Sequence, residues 1–197
     1  MKYEARNFDP LLGTEGFSNT LLNNHFTLYK GYVTNTNKLA ETLDAMLKEG
    51  KVATTEYAEL TRRFGWEFNG MRLHEYYFEN MIKGGSAADS GSPLHTKIAQ
   101  EFGSFETWEK DFRGTGAMRG IGWTILYYDN ISKHLFNVWV NEHDVGHLSG
   151  CTPLLVMDVF EHAFFTDYQL KRADYIEAFT KAIHWKAVGD RFKAASR

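Results

Sequence analysis

Residues 154–164 read LLVMDVFEHAF: a β-like apolar run from Leu154 to Met157 closes on Asp158, and His162 follows four residues later. This places a carboxylate at the end of a strand and an imidazole at the start of a helix. Upstream, β-formers dominate Trp123–Tyr128 and His134–Val140, with a turn at Asp129 and Asn130 between them. Three antiparallel strands therefore form one sheet. Downstream, Glu161 returns the chain to helix, and Ala173–His184 is the clearest amphipathic run.

Farther upstream, Ser92 and Pro93 open a short helix that stops near Gly103, and Ser104 caps another reaching about Met118. The stretch GGSAADSGSP, Gly84 to Pro93, is the one shift in composition and reads as a loop or boundary. Before it the pattern is helical throughout. Leu22, Phe26, Tyr29, Val33, Leu39 and Met46 fall at helical spacing over Phe17–Lys48, with Gly50 as a stop. A second helix runs from the cap Thr54 to Lys83, although Gly65 and Gly70 inside it each cost about 1 kcal/mol against alanine. Two long helices on a short loop make an antiparallel hairpin. The fold class is thus α+β: a helical hairpin domain, residues 1–85, followed by an α/β domain, residues 86–197, with a three-stranded antiparallel sheet.

The composition agrees. A chain of 197 residues, 43% apolar, buries roughly 70% of its unfolded surface and supports a full core. Only three prolines favour helix. With 22 Lys+Arg against 25 Asp+Glu, a net charge of −3 and no long basic run, nucleic acid is excluded as an expected partner. No apolar run approaches the roughly 20 residues of a membrane span. The single Cys151 excludes internal disulfides and multi-cysteine metal sites and fits a reducing compartment, so a cytoplasmic location is expected.

Four residues are candidate metal ligands: His25, His74, Asp158 and His162. His25 shares one helix face with Tyr29 and Tyr32, and His74 heads the series His74, Tyr77, Phe78, Met81 on the second helix. Any one histidine among aromatics reads as a hydrogen-bonded core residue; four such groups on separate elements point to a first-row transition metal. Competing sites fail on the letters. His74-Glu75 is followed by Phe78 where a zinc HExxH motif needs histidine, and Met71 and Val159 stand where di-iron bundles need glutamate. GxGxxG, GxxxxGK[ST] and GxSxG are all missing.

DVFEHAF resembles the DxWEHAYY signature of the iron/manganese superoxide dismutases. The resemblance extends over nearly the whole chain, through the segment around His25 with YVTNTNKL, the His74 segment, FGSF at Phe102–Phe105, GIGW at Gly120–Trp123 and RADYIEAF from Arg172. It implies one iron or manganese ion per subunit, held by His25, His74, Asp158 and His162 with solvent as the fifth ligand, disproportionating superoxide to dioxygen and hydrogen peroxide. Iron is preferred, because Val156 is bulkier than the glycine common in manganese-type members and His143 stands for glutamine; a cambialistic enzyme, active with either metal, fits the same letters. A metal-free structural relative of the fold is the alternative, and a non-haem oxygenase or hydrolase would need more open coordination positions.

Further residues carry roles by the same resemblance. His143 aligns with one of two places that supply the solvent-orienting glutamine, and Gly70 occupies the other. Tyr32 takes the place of the gateway tyrosine, one residue nearer the first ligand than usual. Trp123 and Phe160 line the metal cavity. Tyr29 and Phe165 replace the two halves of an interface hydrogen bond, and Glu161 of one subunit is expected to hold His162 of the other, which makes a homodimer or a dimer-based tetramer. Arg172, by this resemblance, and Lys30, by its place one residue from Tyr29 and two from Tyr32, are the cations expected to steer superoxide into the funnel.

Overall fold

The computed structural model describes residues 2–197. Helix α1, Asn19–Lys48, starts where the Ser18 hydroxyl accepts the Leu21 amide, and α2, Thr55–Glu79, starts where the Thr54 hydroxyl accepts that of Tyr57. The two pack as the expected hairpin along a seam of buried residues that includes Phe26, Tyr29, Val33, Met71 and Phe78. Helix α2 stops at Glu79 rather than Lys83 because the following chain finds other partners. Buried Asn80 donates its side-chain amide to the Val156 carbonyl at 2.9 Å, and Met81 bridges to Ile183. The end of the hairpin is thereby fastened to the second half of the chain.

Ser92 and Ser104 cap α3, Pro93–Phe102, and α4, Phe105–Gly116, as the sequence predicts. The sheet has the order β2-β1-β3, all antiparallel, with β1 Gly122–Asp129 central, β2 Leu135–Asn141 and β3 Cys151–Asp158 at the edges. Strand β3 begins three residues before the apolar run. Pro153 belongs to it, opposite Tyr127 at a register shift, and an edge strand with such an irregularity tolerates a residue that lacks an amide hydrogen. Trp123 pairs with Asp158 on one side and Val140 on the other, so the register itself sets the cavity tryptophan beside the carboxylate.

Past β3 the helix expected from Glu161 is broken up. A single 3-10 turn, Glu161–Ala163, and a four-residue helix α5, Phe165–Tyr168, precede Gln169, whose φ of 50° ends the element. Helix α6, Arg172–Ala182, stops at Ile183, which turns extended to pair with Met81, and α7, Trp185–Ala195, follows. Among the described residues no helix is long and apolar enough to cross a membrane.

Candidate metal centre

Helix α1 supplies His25, α2 supplies His74, the end of β3 supplies Asp158 and the 3-10 turn supplies His162. One ligand atom from each lies within 4.8 Å of all the others. Nε2 of His25, His74 and His162 stand 3.2, 3.6 and 3.1 Å from the same oxygen, Asp158 Oδ2. The other Asp158 oxygen accepts the Phe160 amide at 2.8 Å, which turns Oδ2 toward the imidazoles. His74 Nδ1 is bonded to the Gly70 carbonyl one turn earlier, leaving its Nε2 fully buried without a partner. An orphaned imidazole nitrogen aimed at a carboxylate and two further imidazoles is costly in a protein interior, and a cation at their centre removes that cost.

Electrostatics fit the same occupant. Burial lowers the pKa of His25 and of His74, the latter well below 6.5, so both rings are neutral donors. For Asp158 burial alone acts upward, yet its interactions with the His162 and His25 imidazoles outweigh it and hold the carboxyl well below the usual range. Neutral imidazoles and an ionised carboxylate are the protonation states that metal ligation requires.

His143 stands above this group and is fully buried. Its loop is short: Asn141 and Val145 exchange backbone hydrogen bonds of 2.8 and 3.3 Å, with three residues between them. The Trp123 indole N–H donates to His143 Nδ1 at 3.0 Å, and His143 Nε2 lies 2.8 Å from the Tyr32 hydroxyl. Since Nδ1 accepts, the neutral ring carries its proton on Nε2. Burial lowers the His143 pKa to about 4, so the ring is neutral in that tautomer near pH 7. Phe160 stacks on the ring at 4.7 Å, and His147 Nε2 bonds the His143 carbonyl at 2.9 Å.

Tyr32 reaches His143 because the segment from His25 is plain α-helix: seven residues turn through about 700°, some 20° short of two full turns, so both side chains share one face. Its ring stacks on that of His74 at 5.1 Å and lies directly on Gly70, where a Cβ would fall 2.5 Å from Tyr32 Cδ1. Position 70 therefore has no room for a larger side chain while Tyr32 keeps this place. Burial pushes the Tyr32 phenol far up, so it stays protonated.

Other expected residues take different surroundings. Tyr29 is fully buried and donates to Glu75 at 3.0 Å while accepting the Arg6 amide, a bond inside one chain. Phe165 is half exposed. Arg172 gives its guanidinium to the carbonyls of Met118 and Gly120, at 2.6 and 2.8 Å, over the face of Phe164. Lys30, five residues after His25, lies about 140° from it around the helix and lines a cleft with the segment Ala5–Asp9.

The sequence reading missed one wall. Trp66 packs edge-on to His143 at 4.5 Å and beside Tyr32 at 5.6 Å, with the Arg63 guanidinium 3.8 Å above its ring. Arg63 is in turn held by buried Glu67 at 2.7 Å. Helical spacing back from His74 through Gly70 and Glu67 to Arg63 was the available signal.

The sequence profile of the iron/manganese superoxide dismutases, C-terminal domain, matches residues 90–191. An iron superoxide dismutase of Aquifex pyrophilus is 36% identical over 93% of this chain and 87% of its own length. One of Cupriavidus metallidurans, also named for iron, is 36% identical over 92% and 91%, and a manganese superoxide dismutase of Haloferax volcanii is 34% identical over 87% and 84%. With four metal-ligand groups converging between the hairpin and the sheet, and relatives of both metal types aligned over most of its length, the chain belongs to the iron/manganese superoxide dismutases.

Proposed function

We propose that the chain carries out its family's reaction, 2 O2•− + 2 H+ → O2 + H2O2, at one iron or manganese ion held by His25, His74, Asp158 and His162. The observation that carries this is the buried, unpartnered Nε2 of His74 facing the other three ligand atoms. When bound, the ion supplies a one-electron couple that oxidises one superoxide and reduces the next. On this reading the hairpin domain, residues 1–85, contributes two ligands and the domain 86–197 contributes the other two, with the ion between them. Replacing His74 or Asp158 with alanine abolishes tight metal binding and dismutation; full metal occupancy in either variant by elemental analysis refutes the assignment.

The chain's own groups handle the protons. His143 Nε2–H is the single donor that the ring presents, and it orients a solvent ligand or the Tyr32 oxygen. While Tyr32 accepts from His143, its own O–H is free to donate to a reduced oxygen species at the cavity mouth. Trp123 and Phe160 both pack against His143 and against each other, and wall the cavity there. Arg172, a fixed cation behind the turn Met118–Gly120, is the steering charge on this reading.

The assembly we infer is a homodimer through the face that carries Glu161, His162 and Phe165. Within the described residues His162 makes one side-chain bond, by Nε2 to Asp158, and its other ring nitrogen is without a partner in the chain. Glu161, one residue before it, and Phe165, three residues after it, are both exposed. A Glu161 carboxylate from a second copy is the acceptor that this imidazole lacks. Glu161→Ala weakens both association and metal retention; wild-type sedimentation and metal content in that variant refute the bridge. The lone, unpaired Cys151 supports a cytoplasmic location.

A further inference from the structure

We propose that Trp66 and Glu142 form a latch between α2 and the β2–β3 loop that holds His143 over the metal centre, with Trp66 as a positioning residue for the reaction. The proposal rests on the reading of His143 as the group that orients solvent and bonds Tyr32.

Glu142, immediately before His143, is held at a φ of 48°, in the left-handed region that residues other than glycine enter only at a cost. Something must stabilise that conformation. The Glu142 amide takes only a long bond to the Ile121 carbonyl, 3.3 Å, whereas its carboxylate accepts the Trp66 indole N–H at 3.1 Å. Trp66 belongs to the helical hairpin and Glu142 to the loop beyond β2, so this bond spans the two halves of the chain close to where the ligands meet. The indole ring also packs edge-on against the imidazole of His143, so a shift of Trp66 moves both the residue that aims His143 and the ring itself. Arg63, stacked on the outer face of Trp66 and anchored by Glu67, fixes the indole from the other side.

The chemistry explains why such a device is needed. A carboxamide could offer two N–H donors to solvent and tyrosine, but neutral His143 has one, already aimed at Tyr32 at 2.8 Å. A single donor must be placed closely to serve, and a misplacement of about 1 Å can cost 100-fold in rate.

The test compares Trp66→Phe, Glu142→Ala and Glu142→Gln with His143→Ala, all loaded with metal, by pulse radiolysis, together with the Trp123 indole N–H resonance in the metal-free proteins. Phenylalanine keeps a smaller ring against His143 and removes the N–H, and Glu142→Ala breaks the same bond without touching that ring; Glu142 is exposed, so its truncation leaves the core intact. Trp66→Phe and Glu142→Ala are expected to keep one metal per chain, to lose about 10-fold in turnover and to shift the Trp123 resonance that reports the bond to His143. Glu142→Gln, whose amide oxygen still accepts from Trp66, recovers most of the turnover. Wild-type turnover and an unmoved resonance in Trp66→Phe and Glu142→Ala, beside an impaired His143→Ala, overturn the latch and leave the role of His143 standing. Wild-type turnover in His143→Ala overturns both.

Discussion

Adding one methyl group at Gly70 tests whether the Tyr32 stack, and not merely the presence of Tyr32, sustains the site. The new Cβ would lie 2.5, 2.7 and 3.0 Å from Cδ1, Cε1 and Cγ of Tyr32, all well inside contact distance. Tyr32 cannot yield freely, because its ring lies on His74 at 5.1 Å and its hydroxyl is tied to His143 at 2.8 Å. Overpacking of this kind costs about 1–3 kcal/mol. For a chain of this size each kcal/mol lowers the melting temperature by about 2–4 °C, so Gly70→Ala should melt roughly 2–12 °C below wild type. Calorimetry on the metal-free protein reads this directly. Turnover should fall about 10-fold as the Tyr32–His143 bond lengthens. In Gly70→Ala/Tyr32→Ala the clash is gone, and the methyl group should cost no further stability beyond Tyr32→Ala. A single variant that melts and turns over like wild type would show that the stack on Gly70 is incidental.

His143→Gln should keep metal and most of its turnover, since a carboxamide oxygen can accept from Trp123 and its nitrogen can donate to Tyr32; His143→Ala leaves the buried Trp123 N–H unpaired, costs about 1–3 kcal/mol by denaturant titration and lowers turnover 10- to 100-fold. The pH dependence has a definite sign. His143 falls from 6.5 to about 4 on folding, so the unfolded chain binds more protons between those values; the metal-free protein has the full contribution above about pH 6.5 and loses it as pH falls toward 4. That contribution is about 3 kcal/mol, and His143→Gln should remove it from the pH-dependent part of urea stability. Lowered values at His25 and His74 act in the same direction and remain in the variant. Steering should appear as a second-order rate constant that falls with ionic strength, less steeply in Arg172→Gln but with unchanged slope in Lys30→Gln, because Lys30 faces the segment Ala5–Asp9.

Spacing and caps made most of the fold legible. Thr54, Ser92 and Ser104 cap the helices where a hydroxyl precedes an amphipathic run, and the β-former clusters became three antiparallel strands in one sheet; the cap Ser18, which starts α1 two residues after Phe17, was not read. Three of the misplaced boundaries involve long-range partners. Asn80 leaves α2 for the Val156 carbonyl, Ile183 leaves α6 to pair with Met81, and Pro153 enters β3 through an edge irregularity that a local pattern cannot reveal. Helix face and strand end marked His25, His74, Asp158 and His162 as candidates, and the resemblance of DVFEHAF and its neighbouring segments to the family made them one set, which the structure brings together. Trp66 and Glu142 were not, since their bond joins residues 76 apart and depends on a left-handed backbone that glutamate does not announce. Lys30 is near Tyr32 along the chain, but the angle around the helix sets the two on different faces.

The central claim is the position of one redox metal among four named side chains, and anomalous scattering from crystals of the active protein tests it most directly. Maps collected across the iron and manganese absorption edges should each be examined for a peak shared by Nε2 of His25, His74 and His162 and Oδ2 of Asp158, roughly 2.0–2.2 Å from each, the range common for such ligands. The account predicts one such peak per chain at the iron or the manganese edge. A peak at any other cluster of side chains, or active crystals with no anomalous signal between these four atoms, would contradict it.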